Sequence, residues 1–186
     1  MHIDPNTGLL SDARQRPSPN YDARPQDCGV DLLVIHAISL PAGQFGGPWI
    51  DDLFCNRLDA GAHADFAEIC GLSVSAHALI RRDGEIVQYV PFQQRAWHAG
   101  KSTFQGRERC NDFSIGIELE GGDDHPFEAI QYQRLAQLTQ ALMQTYPRIS
   151  REHIIGHSDI APGRKTDPGP HFDWARLWQL LEDPSL

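Results

Sequence analysis

The chain has 186 residues, enough for one domain with a hydrophobic core and short for two. Hydrophobic residues make up 40% of the chain and charged residues 22%, which is typical of a folded protein and unlike a disordered one. The net charge of −9 argues against a nucleic acid as partner, because proteins usually contact the phosphate backbone with a basic surface. Solubility alone accounts for this acidity.

The first residues, MHIDPNTGLLSDARQRPSP, contain no basic cluster followed by the apolar segment of a signal peptide. No run elsewhere approaches the roughly 18 apolar residues of a membrane span. The four cysteines (Cys28, Cys55, Cys70 and Cys110) form no C-x-x-C pair, which excludes a thiolate zinc site of ordinary spacing and fits reduced thiols. We therefore expect a cytoplasmic protein without membrane contact.

The first 30 residues carry four prolines and are predicted to form an extended arm on a single domain that spans residues 1–186. Asp31–Ser39 is a nearly continuous run of apolar residues, which predicts a strand buried on both faces. A loop rich in glycine and proline follows, and a short helix is predicted over Trp49–Leu58.

Two strands are predicted over Val74–Arg82 and Glu85–Pro91, joined by the turn pair Asp83-Gly84. Apolar and polar residues alternate over Phe113–Glu120, which predicts a further strand. One face of that strand is expected to carry the apolar residues Phe113, Ile115, Ile117 and Leu119.

Pro126 opens a long helical stretch that Pro147 ends. Ile154–Ile160 predicts another strand, and Asp173 can cap a last helix. The apolar stripe of that helix is typical of core packing and consists of Trp174, Leu177, Trp178 and Leu181. Together these elements predict an α/β fold in which a mixed central sheet of about five strands is flanked by helices.

The chain contains nine histidines, of which five lie in polar or loop segments and are expected to be solvated: His2, His63, His125, His153 and His171. His36 differs because it shares a strand face with Leu32 and Val34, where an unpaired imidazole would cost a few kcal/mol. On its own, His36 is better interpreted as a core histidine whose hydrogen bonds are satisfied.

His157 and Asp167 lie ten residues apart in IIGHSDIAPGRKTDPG, separated by a loop that contains proline and glycine. Such a loop can return a carboxylate to an imidazole at a strand end. Two neutral imidazoles and one carboxylate, with a fourth position open for water, form a recurrent ligand set of catalytic zinc. The spacing alone is a weak pattern and does not establish such a site.

Five segments occur in the order of a known family: VIHAIS, SAHALIRRDGEIVQYV, RAWHAG, RERCNDFSIGIELEG and GHSDIAPGRKTDPGP. From about residue 17 to residue 174 the chain resembles the zinc-dependent N-acetylmuramoyl-L-alanine amidases, which share their fold with the peptidoglycan-recognition proteins. It resembles in particular the cytoplasmic AmpD-type branch, the 1,6-anhydro-N-acetylmuramyl-L-alanine amidases of cell-wall recycling.

The resemblance implies one zinc ion held by His36, His157 and Asp167. It implies hydrolysis of the amide between the lactyl group of anhydro-muramic acid and L-alanine, with an anhydro-muropeptide as substrate. We expect a monomer. By family analogy, removal of its substrate in the cytoplasm is expected to dampen β-lactamase induction.

The resemblance also implies roles for residues near the metal. Glu118 is the implied acid/base, two residues from Gly116, whose missing side chain is expected to leave room for a ligand. Lys165 lies two residues before Asp167 and is the implied stabiliser of the oxyanion. Without the resemblance, Glu118 and Lys165 would be interpreted as ordinary exposed residues.

Substrate binding is expected from four residues. Arg109 is our choice for a carboxylate of the stem peptide, because a guanidinium can bind a carboxylate through two parallel hydrogen bonds. Ala96, Trp97 and His98 are expected to line the groove, although Trp97 is equally consistent with core packing.

Three further positions bear on the site. His77 is expected to be structural or to support a ligand. Ala37 stands where relatives commonly have Asn, and Ser73 where they can have a basic residue. These departures leave the zinc ligands intact and put the substrate preference in doubt.

Two other functions are alternatives. The first is a non-catalytic muropeptide-binding module on the same fold, which the presence of all three metal ligands disfavours. The second is a periplasmic amidase that acts on intact peptidoglycan, which the missing leader disfavours.

Overall fold

The computed structural model describes residues 1–183, so the last three residues of the predicted domain lie outside this range. The strands are β1 (Arg14–Gln15), β2 (Tyr21–Asp22), β3 (Leu32–Ile38), β4 (Ala78–Ile80), β5 (Ile86–Gln88), β6 (Arg95–Ala96), β7 (Thr103–Phe104), β8 (Arg107–Glu108), β9 (Ser114–Glu120) and β10 (Ile154–Gly156). The helices are α1 (Trp49–Phe54), α2 (Ala129–Thr145), α3 (His157–Ile160) and α4 (Trp174–Glu182).

Six strands form the central sheet, in the order β1-β5-β4-β9-β3-β10. All neighbours run parallel except β4 and β5, which form the hairpin predicted around Asp83-Gly84. The predicted α/β fold with a mixed sheet is therefore confirmed. The unpredicted sixth strand is β1, in which Arg14 and Gln15 pair with β5 at the sheet edge; this polar segment has no apolar periodicity to reveal it.

The two longest strands, β3 and β9, lie side by side and pair over seven residues, with His36 opposite Glu118. One face of this pair is apolar and packs against α2 and α4. Its residues Leu33, Ile35, Ile115, Ile117 and Leu119 share one buried cluster with Leu135, Leu138, Leu142 and Leu177 of the helices. Ile3 and Leu10 of the N-terminal arm are buried in the same cluster.

The other face of the pair carries His36 and Glu118 near one end and a small apolar cluster near the other. Phe113 belongs to this cluster, with Leu32 and Val34, and does not share a face with Ile115 as predicted. The reason is that β9 begins at Ser114, whereas Phe113 ends a 3-10 turn with φ −130° and ψ 8°.

The strand predicted over Ile154–Ile160 ends at Gly156, and α3 begins at His157. The carboxylate of Asp159 accepts a hydrogen bond from the amide of Gly156 at 2.7 Å and thereby caps the first turn of α3. This turn directs the chain away from the sheet immediately after His157.

Other boundaries differ less. The helix α1 and both strands of the β4–β5 hairpin are shorter than predicted. The long helix begins at Ala129 rather than at Pro126, because the side chain of Gln131 accepts a hydrogen bond from the Glu128 amide at 2.9 Å and caps the helix there. In α4, Leu177 is fully buried and the rest of the predicted stripe packs against the core. None of the helices in residues 1–183 is both long and apolar enough to span a bilayer.

Candidate metal centre

His36, His157 and Asp167 come from three segments that meet at one end of the sheet. β10 pairs with β3 so that Gly156 lies opposite Ile35, and this register places His157 beside His36. The loop after α3 returns to the same place, where the amide of Ser158 donates a hydrogen bond to the carbonyl oxygen of Asp167 at 2.9 Å. The fold thus collects residues that are 131 positions apart in the chain.

The three side chains form a nearly equilateral triangle of ligand atoms. Nδ1 of His36 lies 3.0 Å from Nδ1 of His157 and 3.1 Å from Oδ2 of Asp167. Nδ1 of His157 lies 3.0 Å from the same Oδ2. Both imidazoles are buried and Asp167 is partly exposed, so the triangle opens toward solvent on one side only.

This arrangement fits a zinc ion. Bonds of about 2.0–2.1 Å in a tetrahedral site place ligand atoms a little more than 3 Å apart, close to the separations of 3.0–3.1 Å between His36, His157 and Asp167. Burial lowers the pKa of His36 to about 4, so the ring is neutral at pH 7 and offers a lone pair. Burial alone would raise the pKa of Asp167, but the hydrogen bonds from the two histidines hold it below its ordinary value, and the carboxylate stays anionic.

The outer nitrogens of both histidines also have partners. Nε2 of His36 lies 2.9 Å from Nδ1 of His98, and Nε2 of His157 lies 3.3 Å from the carbonyl oxygen of Ala99. A carbonyl only accepts, so Nε2 of His157 carries the proton and Nδ1 keeps its lone pair for a metal.

Glu118 points into the cavity next to the triangle. Its side chain is 8% exposed, and within residues 1–183 its buried Oε2 has no hydrogen-bond partner. Burial raises the pKa of Glu118 well above its ordinary value, the charge of Asp167 raises it further, and Lys165 opposes both. The raised pKa favours the protonated form of Glu118, which suits a general acid or base.

A cavity of about 210 Å³ joins these groups. Its polar wall consists of His36, His98, Glu118, His157, Lys165 and Asp167. Its apolar wall consists of Ala37, Ile38, Leu53, Phe54, Leu72 and Val74, with Ser75 and Trp97 completing the lining. Lys165 is the exposed member of the polar wall, on the loop that carries Asp167.

The predicted substrate residues divide into two groups. Trp97 and His98 line the cavity as expected. Ala96 does not reach the cavity, because it is fully buried in the apolar cluster beneath it. Arg109 is not among the lining residues that the structure describes; its side chain is 69% exposed and lies 3.3 Å from Asp112.

The expectation that Gly116 leaves room for a ligand is wrong. A Cβ atom on Gly116 would lie 2.4 Å from Nδ1 of His98, so the space is filled by the imidazole of His98. Only an unexplained glycine on the polar face of a strand indicated this contact before the structure was known. Burial and the charges of neighbouring histidines lower the pKa of His98 well below its ordinary value.

The remaining histidines are placed apart from the triangle. Both nitrogens of the buried His77 have partners, the amide of Gly116 and the carbonyl of Gln94, each at 3.0 Å. Of the five histidines expected to be solvated, three are exposed and two, His63 and His153, are half-buried. Ala37 lines the cavity, whereas Ser73 is exposed at its margin next to Leu72.

Several known proteins are similar to this chain over most of its length. The family model "N-acetylmuramoyl-L-alanine amidase" matches residues 25–170. The 1,6-anhydro-N-acetylmuramyl-L-alanine amidase AmpD of Escherichia coli (strain K12) is 65% identical over 174 residues, which are 94% of each chain. A crystal structure of a selenomethionine AmpD derivative superposes with a TM-score of 0.94 at 61% identity and covers 97% of this chain and 99% of that one.

A more distant structure is the Escherichia coli amidase AmiD in complex with the substrate anhydro-N-acetylmuramic acid-L-Ala-D-γ-Glu-L-Lys. It has a TM-score of 0.60 at 35% identity and covers 84% of this chain and 60% of that one. The chain therefore belongs to the N-acetylmuramoyl-L-alanine amidase family. Within that family, the resemblance to the AmpD-type branch that the sequence indicated is confirmed.

Proposed function

We propose that this protein is a zinc amidase of peptidoglycan recycling. Its substrate would be a muropeptide in which 1,6-anhydro-N-acetylmuramic acid is joined through its lactyl group to L-alanine. The observation that carries the proposal is the buried triangle of His36, His157 and Asp167 beside the unpaired carboxyl of Glu118. The names of the AmpD relatives, which are 61–65% identical over most of the chain, support the substrate class.

His36, His157 and Asp167 would hold the metal. Zn²⁺ in such a ligand set supplies a Lewis acid that makes water a nucleophile near neutral pH and polarises the scissile carbonyl. The protein's own contribution is to keep both imidazoles neutral and oriented, and to keep the carboxylate ionised beside them.

Glu118 would move the proton. As the carboxylate it takes a proton from the attacking water while the oxygen bonds to the lactyl carbonyl carbon. As the acid it then gives this proton to the alanine nitrogen while the carbon–nitrogen bond breaks. The products are a lactyl carboxylate and a free amine, and the raised pKa of Glu118 suits both transfers.

Lys165 would stabilise the developing oxyanion. Lys165 lines the cavity on the loop of Asp167, so its ammonium group would face the carbonyl oxygen on which negative charge develops. The apolar wall opposite, which includes Phe54, Leu72 and Val74, would contact the carbons of the sugar and the lactyl group. Arg109 remains our choice for a carboxylate of the stem peptide, because its guanidinium is largely exposed.

We further propose that residues 1–186 form one amidase domain with the N-terminal arm packed on it, and that it acts as a monomer in the cytoplasm. The burial of Ile3 and Leu10 in the main core supports the first point, and four cysteines without disulfides support the location. Removal of anhydro-muropeptides there would dampen β-lactamase induction.

Mass spectrometry of the products of a soluble anhydro-muropeptide tests the proposal. We expect a free peptide that begins with L-alanine and the anhydro sugar with its lactyl carboxylate. Exhaustive chelation should abolish these products, and about one equivalent of zinc should restore them. Activity that survives chelation would contradict the mechanism.

Intact sacculi assayed in parallel separate the alternatives. Release of peptide from sacculi at a rate equal to that from the soluble substrate would favour a wall-degrading amidase. Binding of the muropeptide without turnover in the zinc-loaded protein would favour a binding module.

A further inference from the structure

We infer that the segment Trp97–Ala99 orients both ligand histidines, and that His98 is the positioning residue for His36. The inference rests on the proposed metal site and extends it to residues that do not touch the ion. It assigns to RAWHAG a role in holding the ligands, in addition to lining the cavity.

His36 meets the imidazole of His98 edge-on. Their ring planes are 89° apart, and Nε2 of His36 lies 2.9 Å from Nδ1 of His98. When Nδ1 of His36 is a metal ligand, its Nε2 carries the proton and donates a hydrogen bond to Nδ1 of His98. Nε2 of His98 then carries a proton and donates to Oγ of Ser114 at 3.2 Å. One set of tautomers therefore satisfies both hydrogen bonds, from His36 to His98 and from His98 to Ser114.

His157 is held by the next residue of the same segment. Its Nε2 donates to the carbonyl oxygen of Ala99 at 3.3 Å. Arg164, from the loop between His157 and Asp167, donates to the same carbonyl and to that of Lys101, each at 2.7 Å. The guanidinium therefore joins the segment to the loop that supplies Asp167.

The segment Trp97–Ala99 is held in place by Asn111 and Gly116. The amides of His98 and Ala99 both donate to Oδ1 of Asn111, at 3.2 and 2.8 Å. The ring of His98 rests on Gly116, where no larger residue fits. These contacts leave His98 one position, and its Nδ1 faces His36 in that position. Partners of this kind set the tautomer and orientation of a ligand histidine and affect metal affinity.

Two substitutions of nearly equal shape test the inference. Asn and Leu branch alike at Cγ, but only Asn can place an oxygen where His98 has Nδ1. We expect His98→Leu to raise the zinc dissociation constant about 10- to 100-fold and His98→Asn to recover most of that loss. The zinc affinity is measured by competition with a chelator, and melting of the metal-free proteins controls for the packing that both variants lose.

Long-range ¹H–¹⁵N NMR spectra of the zinc-loaded proteins give a second readout. Nε2 of His36 should carry a hydrogen-bonded proton in the wild type and in His98→Asn, and should lose the signature of that hydrogen bond in His98→Leu. If His98→Leu does not fold, Ser114→Ala replaces it, with an expected loss of zinc affinity of about threefold or more.

Equal zinc affinities of the Leu and Asn variants would overturn the inference, as would wild-type affinity in Ser114→Ala where that variant is used. A wild-type protein that binds no zinc would instead overturn the proposed function and this inference with it. The two failures are therefore distinguishable.

Discussion

The β3–β9 pair presents two faces of similar burial and opposite character. On one face, Ile35 and Ile117 belong to a buried apolar cluster that includes residues of α2 and α4. On the other, His36 and Glu118 are 1% and 8% exposed beside a cavity. The first face gains roughly 1.5–3 kcal/mol for each large aliphatic side chain it buries, whereas the second must offset the cost of buried polar groups.

On the polar face, hydrogen bonds offset the cost of burying His36 and His157. His36 and His157 direct their inner nitrogens at Asp167 and satisfy their outer nitrogens with His98 and Ala99. Glu118 is the exception, because its Oε2 lacks a partner in the part of the chain that the structure describes. We therefore expect the apolar face to determine stability and the polar face to determine activity.

The largest effect is expected for Glu118→Gln, which should lower kcat about 10²- to 10⁴-fold. Glutamine keeps the shape but cannot exchange a proton, so zinc content and the free energy of unfolding should not fall. Steady-state kinetics, metal analysis and urea unfolding measure the three quantities, with the exposed Glu108→Gln as control. Near-native kcat would show that Glu118 is misassigned.

Leu138→Ala should have the opposite effect to Glu118→Gln: it should lower stability and leave the activity unchanged. Leu138 is fully buried under the apolar face, and its truncation should lower the free energy of unfolding by about 2–5 kcal/mol. The kcat of the folded fraction and its zinc affinity should stay at wild-type values. The control is Leu138→Met, which conserves volume and should cost less than about 1.5 kcal/mol. A loss of kcat at a constant folded fraction would contradict the expectation that the apolar face determines stability and the polar face activity.

A smaller effect is expected from His77, a buried polar residue that does not touch the triangle. Burial and the charge of Arg24 lower its pKa to about 3, below the ordinary value of 6.5. The unfolded state therefore binds the proton first as the pH falls, so stability is full above about pH 6.5 and declines toward pH 3. Between pH 7 and 4.5 the decline due to His77 should be roughly 2–3 kcal/mol.

His77→Asn tests this linkage. Asn can accept the Gly116 amide but does not titrate, so its loss of stability between pH 7 and 4.5 should be smaller than that of the wild type by that amount. Urea unfolding of the metal-free proteins at both pH values measures the difference. An identical pH dependence in both proteins would mean that His77 does not carry the effect.

The elements that could be predicted from the sequence are those whose pattern is local. The apolar run of β3, the alternation in β9 and the stripe of α4 each follow from contacts that one element makes with a continuous core. The strand β1 and the helix α3 depend instead on particular contacts that no local sequence pattern indicates. β1 pairs with the edge of β5, and the start of α3 is capped by the hydrogen bond from the Gly156 amide to Asp159.

The same distinction holds in the site. The structure brings together His36, His157 and Asp167, which the resemblance indicated, and places Lys165 and Glu118 around the same cavity. The supporting contacts of His98 and Asn111 could not be predicted, because each joins segments whose spacing in the chain carries no signal. Ala96, which is expected to line the groove with Trp97 and His98, is instead buried in an apolar cluster. Arg109, which is chosen for its guanidinium, lies 3.3 Å from Asp112 and is not among the described residues that line the cavity.

β10 is the edge strand of the sheet, held on one side only, and it is short. An ion shared by His36 in the interior and by His157 and Asp167 at the margin would tie this edge to the centre of the molecule. Reactivity and the anchoring of β10 would then depend on the same three bonds, and slow amide exchange in β10 would report whether the centre is loaded.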